Sequence, residues 1–166
     1  ITGTVNGTTG GAAESLTLLA GTGDISFTGT VGNNTNSTEL ESLTITSAAT
    51  TTFTDALNLS GALTQSAGTV DTIFNGPVSV GSANLTGTAF HLNDSFASSG
   101  TTHFANSGIL TKNNTGAITS TGVFSTTGNV SLAANITTTN ADLTIGGDLL
   151  IAEDADPTLS TGAGVG

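Results

Sequence analysis

A repeated pattern of short apolar runs constrains the fold of this chain more than any other feature. Residues 14–18 (ESLTL) return as residues 41–45 (ESLTI), and residues 1–5 (ITGTV) return as residues 27–31 (FTGTV). Later copies diverge, but an alternating apolar run and a turn rich in Gly, Ser, Thr or Asn recur at intervals of about 20 residues. Such a period is typical of stacked arrays, in which each unit buries its apolar face only against its neighbours.

Each repeat contains three short segments with strand-like alternation. The first reads Leu-Thr-Leu or Leu-Thr-Ile, at residues 16–18, 43–45 and 143–145. The second is centred on Phe, and a third alternating run follows the turn after it. The Phe series consists of Phe27, Phe53, Phe74, Phe96, Phe104 and Phe124. Three segments per coil predict an all-β, parallel β-helix (a three-limbed β-solenoid with coils of about 20 residues), in which Phe27, Phe53 and Phe74 stack in one interior column.

The composition favours β-structure throughout. Thr supplies about one residue in five, and its β-branched side chain favours strands, while Gly, Asn and Ser supply turns. Good helix formers are scarce apart from Ala and Leu. An immunoglobulin-like sandwich with hairpin connections is the competing all-β fold, because its strand spacing overlaps with the spacing seen here. The recurring Leu-Thr-Ile and Phe segments favour the solenoid.

The charge balance excludes several kinds of partner. Lys112 is the single cationic side chain against twelve carboxylates, which gives a net charge of −11. Nucleic acids and anionic lipid surfaces are bound through Lys and Arg, so neither is an expected partner. No apolar run approaches the roughly 20 residues that a membrane helix needs, and membrane insertion is not expected. The lack of Cys and the scarcity of Lys suit an extracellular location.

With these repeats in view, the chain resembles the strand-repeat regions of filamentous-haemagglutinin-like bacterial adhesins. The resemblance is carried by residues 43–53 (LTITSAATTTF), 23–31 (GDISFTGTV) and 128–132 (GNVSL). It covers most of the chain. The resemblance implies a right-handed parallel β-helix, secretion to the bacterial cell surface, a structural or adhesive role, and no enzymatic residues.

The two ends suggest that the chain continues beyond itself. Residues 1–166 are interpreted as a single solenoid segment, either a fragment or one period of a longer tandem array. The tail, residues 158–166, is comparable with residues 18–23, and the head, residues 1–5, resembles the end of a Phe segment. Head and tail are therefore expected to be two halves of one coil, which neighbouring repeats of the same chain or a second copy would complete by end-to-end stacking.

The sequence does not favour an enzymatic site. Polysaccharide lyases need a cation for the substrate carboxylate, and Lys112, the only candidate, is predicted to lie in a turn with residues 113–116 (NNTG). Hydrolases need two facing carboxylates, whereas the spacing of the central aspartates predicts turn hydrogen bonds instead. Those aspartates are Asp24, Asp55, Asp71 and Asp94. Trp and Tyr, the usual sugar platforms, are absent from the sequence.

Histidine and acidic side chains supply the remaining candidates. His91 and His103 are the only histidines, and a Ser-His-Asp arrangement with Asp94 lacks any nucleophile turn in the sequence. The densest acidic cluster is a weak calcium candidate, because calcium prefers oxygen ligands, but a solvated acidic loop is the preferred interpretation. That cluster is Asp148, Glu153, Asp154 and Asp156. No other cofactor is expected.

The sequence therefore predicts a stiff structural or adhesive rod of a large secreted surface protein or filament. Contacts with host or surface glycans would come from loops such as residues 33–39, the longest polar insertion. A carbohydrate-binding or ice-binding solenoid is the alternative function. Thr-x-Thr pairs such as Thr119/Thr121 and Thr137/Thr139 favour ice binding, but the pairs are not expected to share one continuous face.

Overall fold

The chain folds as a β-solenoid in the computed structural model, which describes residues 1–8, 14–32 and 40–162. These residues form twenty strands and no helix, and the strands make three parallel sheets. The predicted fold class, an all-β, three-limbed parallel β-solenoid with coils of about 20 residues, is confirmed. Accordingly, the described residues contain no helix long and apolar enough to cross a membrane.

Each coil contributes one strand to each sheet, except that the first coil adds only the bridge residue Val31 beside the third sheet. The first sheet is ordered β1 (Glu14–Leu19), β3 (Leu40–Ser47), β6 (Ala62–Gln65), β9 (Ser82–Gly87), β12 (Thr102–Asn106), β15 (Phe124–Thr126) and β18 (Leu143–Ile145). The second is ordered β2 (Ile25–Phe27), β4 (Thr51–Phe53), β7 (Asp71–Phe74), β10 (Ala89–Leu92), β13 (Ile109–Lys112), β16 (Asn129–Leu132) and β19 (Leu149–Ile151). The third is ordered β5 (Leu57–Asn58), β8 (Val78–Val80), β11 (Phe96–Ser98), β14 (Ile118–Ser120), β17 (Ile136–Thr138) and β20 (Leu159–Ser160).

Like residues lie above one another because the register is kept from coil to coil. In the first sheet Leu43 pairs with Leu63, and Leu63 pairs with Ala83, so each step along the sheet corresponds to one repeat of the sequence. Every strand pair is parallel, which is incompatible with the hairpins of a sandwich. Six such steps separate the first and last strands of the first two sheets, which makes a rod about 29 Å long at about 4.8 Å per step.

The core is a set of apolar columns inside the coils. Strand residues alternate between buried and more exposed positions, as in β2 and β8, since successive side chains of a strand point to opposite faces. Phe27, Phe53 and Phe74 form the predicted stack: their ring centroids are 5.0 and 5.1 Å apart and the rings are 9° and 2° from parallel. This part of the prediction is confirmed.

The prediction that the six phenylalanines of the series above, out of seven in the sequence, mark one segment was wrong after Phe74. Phe96 lies on β11 of the third sheet, while Phe104 and Phe124 lie on β12 and β15 of the first. The interior is narrow enough for rings from different sheets to touch, and Phe96 and Phe104 have centroids 5.5 Å apart. A phenylalanine ring on a strand of any of the three sheets fills the same interior space. The presence of Phe therefore does not indicate which sheet a strand belongs to.

The two end coils expose most of the large apolar side chains that reach solvent. Among the described residues, six of eight such side chains belong to the ends, and the remaining two are Val70 and Val123. At the N-terminal end they are Ile1 and Leu19; at the C-terminal end they are Leu149, Leu150, Ile151 and Leu159. An exposed edge with apolar side chains and unpaired backbone groups favours pairing with another strand.

Of the two sequence correspondences predicted for the chain ends, the structure confirms one and contradicts the other. Val5 bridges to Val31 and the Thr28 amide donates to the Ile1 carbonyl at 3.0 Å, which confirms the correspondence between residues 1–5 and 27–31. The comparison of the tail with residues 18–23 was wrong, because the two segments belong to different sheets. Leu159 and Ser160 pair with β17 in the third sheet, whereas residues 18–19 belong to the first. Residues 163–166 lie outside the described part of the chain.

Candidate functional site

Lys112 is the last residue of β13, and its side chain occupies a core column. Its backbone pairs with Leu92 on one side and with Leu132 on the other, and the residue is only 1% exposed. The prediction of a turn position was therefore wrong. The reason is that the polar segment which follows Lys112 is itself the corner, and Lys112 precedes it in an inward-facing strand position. The single cation of the chain is thus withdrawn from the surface.

The Lys112 ammonium is held by the corner that follows it. Nζ donates to the Asn113 carbonyl at 2.8 Å and to the Thr115 carbonyl at 2.7 Å. Burial lowers the pKa of the Lys112 ammonium below its usual range, and the negative charge of Asp94 partly opposes this effect. The Lys112 ammonium therefore stabilises the corner from inside the coil, because it supplies the hydrogen-bond donor that the Asn113 and Thr115 carbonyls need.

An asparagine ladder runs along the outside of the same corner. The Asn93 Nδ2 group donates to Asn75 Oδ1 at 2.7 Å, and the Asn113 Nδ2 group donates to Asn93 Oδ1 at 2.6 Å. Each of the three follows directly after a strand of the second sheet, where the solenoid turns. Amide side chains both donate and accept, so identical corners in successive coils form a continuous chain of hydrogen bonds. Sequence analysis missed this ladder, although the near-equal spacing of the three asparagines, about one repeat apart, pointed to it.

The four predicted calcium ligands are not gathered in one place. Glu153, Asp154 and Asp156 line an open groove of about 450 Å³, together with Asn93, Ala133, Ala155 and residues 113–115. Asp148 precedes β19 instead, where its amide donates to Asn129 Oδ1 at 2.8 Å. Within the described ranges, no three His, Asp or Glu side chains lie close enough together to hold a metal ion. Calcium binding stays a prediction.

Three of the four aspartates predicted to make turn hydrogen bonds accept a hydrogen bond from a backbone amide at or beside a corner of the solenoid. Asp24 accepts from the Thr50 amide at 2.9 Å, Asp55 from the Ala56 amide at 2.8 Å and Asp94 from the Ser95 amide at 2.6 Å. Asp71 is different, since it begins β7 and faces a histidine on the next coil. Each carboxylate thus has its own local partner.

The two histidines lie on the outer faces of different sheets. The Nε2 atom of His91 is 3.4 Å from Asp71 Oδ1, across the second sheet. On the first sheet, the Nδ1 atom of His103 lies 2.7 Å from Ser125 Oγ. The Ser-His-Asp arrangement drawn with Asp94 is not assembled, because Asp94 faces its own corner and Asp71 takes the place beside His91.

The outer face of the third sheet forms a shallow groove lined with small side chains. The groove has a volume of about 400 Å³ and its lining is Leu59, Ser60, Ser79, Val80, Gly81, Ala97, Ser98, Ser99, Thr119 and Thr121. Thr119 pairs with Thr137 in the next coil, so two Thr-x-Thr pairs stack there. The next position toward the N-terminus is Ala97 and the next toward the C-terminus is Ser160, so the stacked threonines are limited to two coils.

Comparisons with known proteins add no family to these observations. No protein-family model, curated protein or solved structure gives a significant match to the chain. The functional interpretation therefore depends on the geometry and on the sequence resemblance alone.

Proposed function

We propose that this chain is a structural module, a stiff segment of a large secreted bacterial surface protein or of an extracellular filament. One observation carries the proposal: six of the eight large apolar side chains exposed among the described residues belong to the two end coils. The exposed apolar surface is thus concentrated on the end coils, where further coils would stack, rather than along the middle of the rod. The neighbour on each end is an adjoining repeat of the same chain or a second copy.

The sides of the rod support a mechanical role. Parallel ladders run the length of all three sheets, and the core columns are continuous from coil to coil. The outward positions of the first sheet carry Thr17, Thr44, Thr64, Asn84, His103, Ser125 and Thr144, which pair in succession. Small polar side chains of this kind keep a rod soluble with few charges. The net charge of −11 also limits lateral clumping.

The adhesive part of the proposal depends on the resemblance to filamentous-haemagglutinin-like adhesins. That resemblance also supports the extracellular, cell-surface location. The loop expected to make contacts, residues 33–39, lies outside the described residues. Binding of the purified chain to immobilised host glycans tests this part separately from the mechanical role.

Sedimentation velocity and negative-stain electron microscopy over a range of concentrations test the proposed stacking. The wild-type chain is expected to form particles elongated along the rod axis. Replacing two end residues (Ile151→Ser and Leu159→Ser) removes apolar surface from the exposed edge and is expected to weaken association. The matched control replaces the two exposed valines on the sides (Val70→Ser and Val123→Ser) and is expected to associate like the wild type.

Two results contradict this proposal. If only single rods are observed at every concentration, the chain does not make the proposed end-to-end contact. Equal weakening by both pairs of substitutions would show that exposed apolar area drives association wherever it lies. Circular dichroism of each variant establishes that the comparison is made between folded chains.

A carbohydrate- or ice-binding module is the second candidate, and the groove on the third sheet favours it. Its lining has no charged side chain, and Thr119 and Thr137 project from adjacent strands. Two coils of paired threonines form a small face, which makes this function the weaker proposal. A thermal-hysteresis measurement decides the ice-binding version, and Thr119→Val with Thr137→Val is the variant that abolishes any activity found.

A further inference from the structure

The carboxylates of this chain are concentrated toward the ends of the rod. Of twelve in the sequence, five belong to residues 142–156, within the last coil, and none occurs between residues 95 and 141. The five are Asp142, Asp148, Glu153, Asp154 and Asp156, and all are exposed. The first coil carries Glu14 in β1 and Asp24 just before β2. Both ends are therefore negative.

The same last coil has an exposed apolar edge. Leu149 is 38% exposed, Ile151 is 52% exposed and Leu159 is 42% exposed, although equivalent positions one coil earlier are fully buried. Open edges of this kind template the addition of strands, and charged residues close to an edge oppose that addition. The coil thus combines a surface that favours stacking with charges that oppose it.

A second copy of the chain fits this edge by its cross-section. The last coil presents Leu149 and Ile151 in the same columns of the second sheet that begin with Ile25 and Phe27 in the first coil. Stacking would bring Asp148 of one copy within about 5 to 10 Å of Asp24 of the next, because these residues directly precede Leu149 and Ile25 in one column and successive coils are about 4.8 Å apart. Asp142 and Glu14 would lie similarly close at the start of the first-sheet strands. That separation is close to the Debye length of about 8 Å at physiological ionic strength. No lysine or arginine side chain offsets the repulsion, because Lys112 is the only one in the sequence and it is buried.

We propose that end-to-end joining of two copies is gated by the negative charge of the last coil. At low ionic strength the carboxylates hold the rods apart, and screening or neutralisation allows the apolar edges to meet. This inference rests on the end-to-end stacking proposed above and adds the condition under which it occurs.

Two triple variants with the same net charge test the gate. The end variant is Asp142→Asn, Asp148→Asn and Glu153→Gln. The middle variant is Asp55→Asn, Asp71→Asn and Asp94→Asn, which lowers the negative charge by the same three units away from the ends. Each new amide is close in size to the carboxylate it replaces and keeps an acceptor oxygen.

Association of the three chains is measured by sedimentation velocity at low and high NaCl. The wild-type association constant is expected to rise about tenfold or more between roughly 20 and 500 mM salt, as the Debye length falls. The end variant is expected to associate already at low salt and to lose most of the salt dependence. The middle variant is expected to behave like the wild type.

The outcomes separate this inference from the stacking on which it rests. If the folded chains associate equally at both salt concentrations, or if both triples respond alike, the gate is overturned and the stacking stands. If no folded chain associates under any condition, the proposed end-to-end stacking is itself contradicted. Side-by-side pairs in electron micrographs of the end variant would also overturn the gate, because the released contact would not be the end.

Discussion

A buried ammonium group at position 112 is subject to opposing electrostatic effects. Desolvation lowers the pKa of Lys112, while Asp94 acts in the other direction and two carbonyls accept its protons. A lysine of the unfolded chain titrates near the reference value of 10.5. In the interval below that value, the folded chain has released a proton that the unfolded chain still binds. The free energy of unfolding should therefore rise with pH up to about 10.5 and then level off.

Denaturant titrations of the wild type and Lys112→Met between neutral pH and pH 10.5 measure this rise. Methionine is a similarly long, unbranched side chain without a charge, so the difference between the two chains isolates the ammonium. The chain has no Tyr, Cys or Arg and no second Lys, so no other side chain contributes in the alkaline range. Parallel pH profiles would contradict a lowered pKa, and a falling difference would show that Asp94 outweighs desolvation.

The burial of Lys112 shows where reading single residues fails. A lysine followed by Asn-Asn-Thr-Gly has the local signature of a turn, and local signals carry no information about stacking. The register contains that information: Leu92, Lys112 and Leu132 are evenly spaced, one repeat apart, and share one column. Applying the period to every position, rather than to the best-preserved repeats alone, would have predicted a core position.

At the scale of elements, the asparagine ladder stabilises one corner across three coils. Asn93 occupies the middle and takes part in two side-chain hydrogen bonds, whereas Asn75 and Asn113 take part in one each. At about 0.5 to 1.5 kcal/mol per bond, Asn93→Ala should lower the free energy of unfolding by about 1 to 3 kcal/mol. Asn75→Ala should cost about half as much.

Chemical denaturation of the two asparagine variants measures this difference. Both substitutions remove the same atoms from the same kind of corner, so helix or strand propensity does not separate them. Equal losses would contradict a continuous ladder and would indicate that each asparagine acts only within its own turn.

The strands of the first sheet were more predictable than those of the other two. The Leu-Thr-Leu and Leu-Thr-Ile triplets at residues 16–18, 43–45 and 143–145 all belong to the first sheet, as the repeat indicated. Phenylalanine was a poor marker of the second sheet, because the inward sites of all three sheets face the same narrow core. Leu92, Lys112 and Leu132 continue the column that Phe27, Phe53 and Phe74 begin.

At the scale of the molecule, the solenoid consists of units that interact only with their neighbours. Almost all strand contacts join one coil to the next, so an inner coil is removable if the register on both sides is kept. Deleting residues 63–82 removes one full period. Ala83 then follows Ala62 and takes the place of Leu63 beside Leu43, while Leu92 takes the place of Phe74 above Phe53.

The shortened chain should fold with an unchanged circular dichroism signal per residue. Its denaturant m-value should fall by about one eighth, in proportion to the surface that the missing coil no longer buries. The control deletes only residues 63–72. That deletion removes half as many residues, but it joins a residue of the first sheet directly to a strand of the second sheet. Every later residue is then displaced from its core column. The half-period deletion should therefore aggregate or remain unfolded. If the shorter deletion were tolerated as well as the full period, or if the full period were not tolerated, the stacked register would not be what holds the chain together.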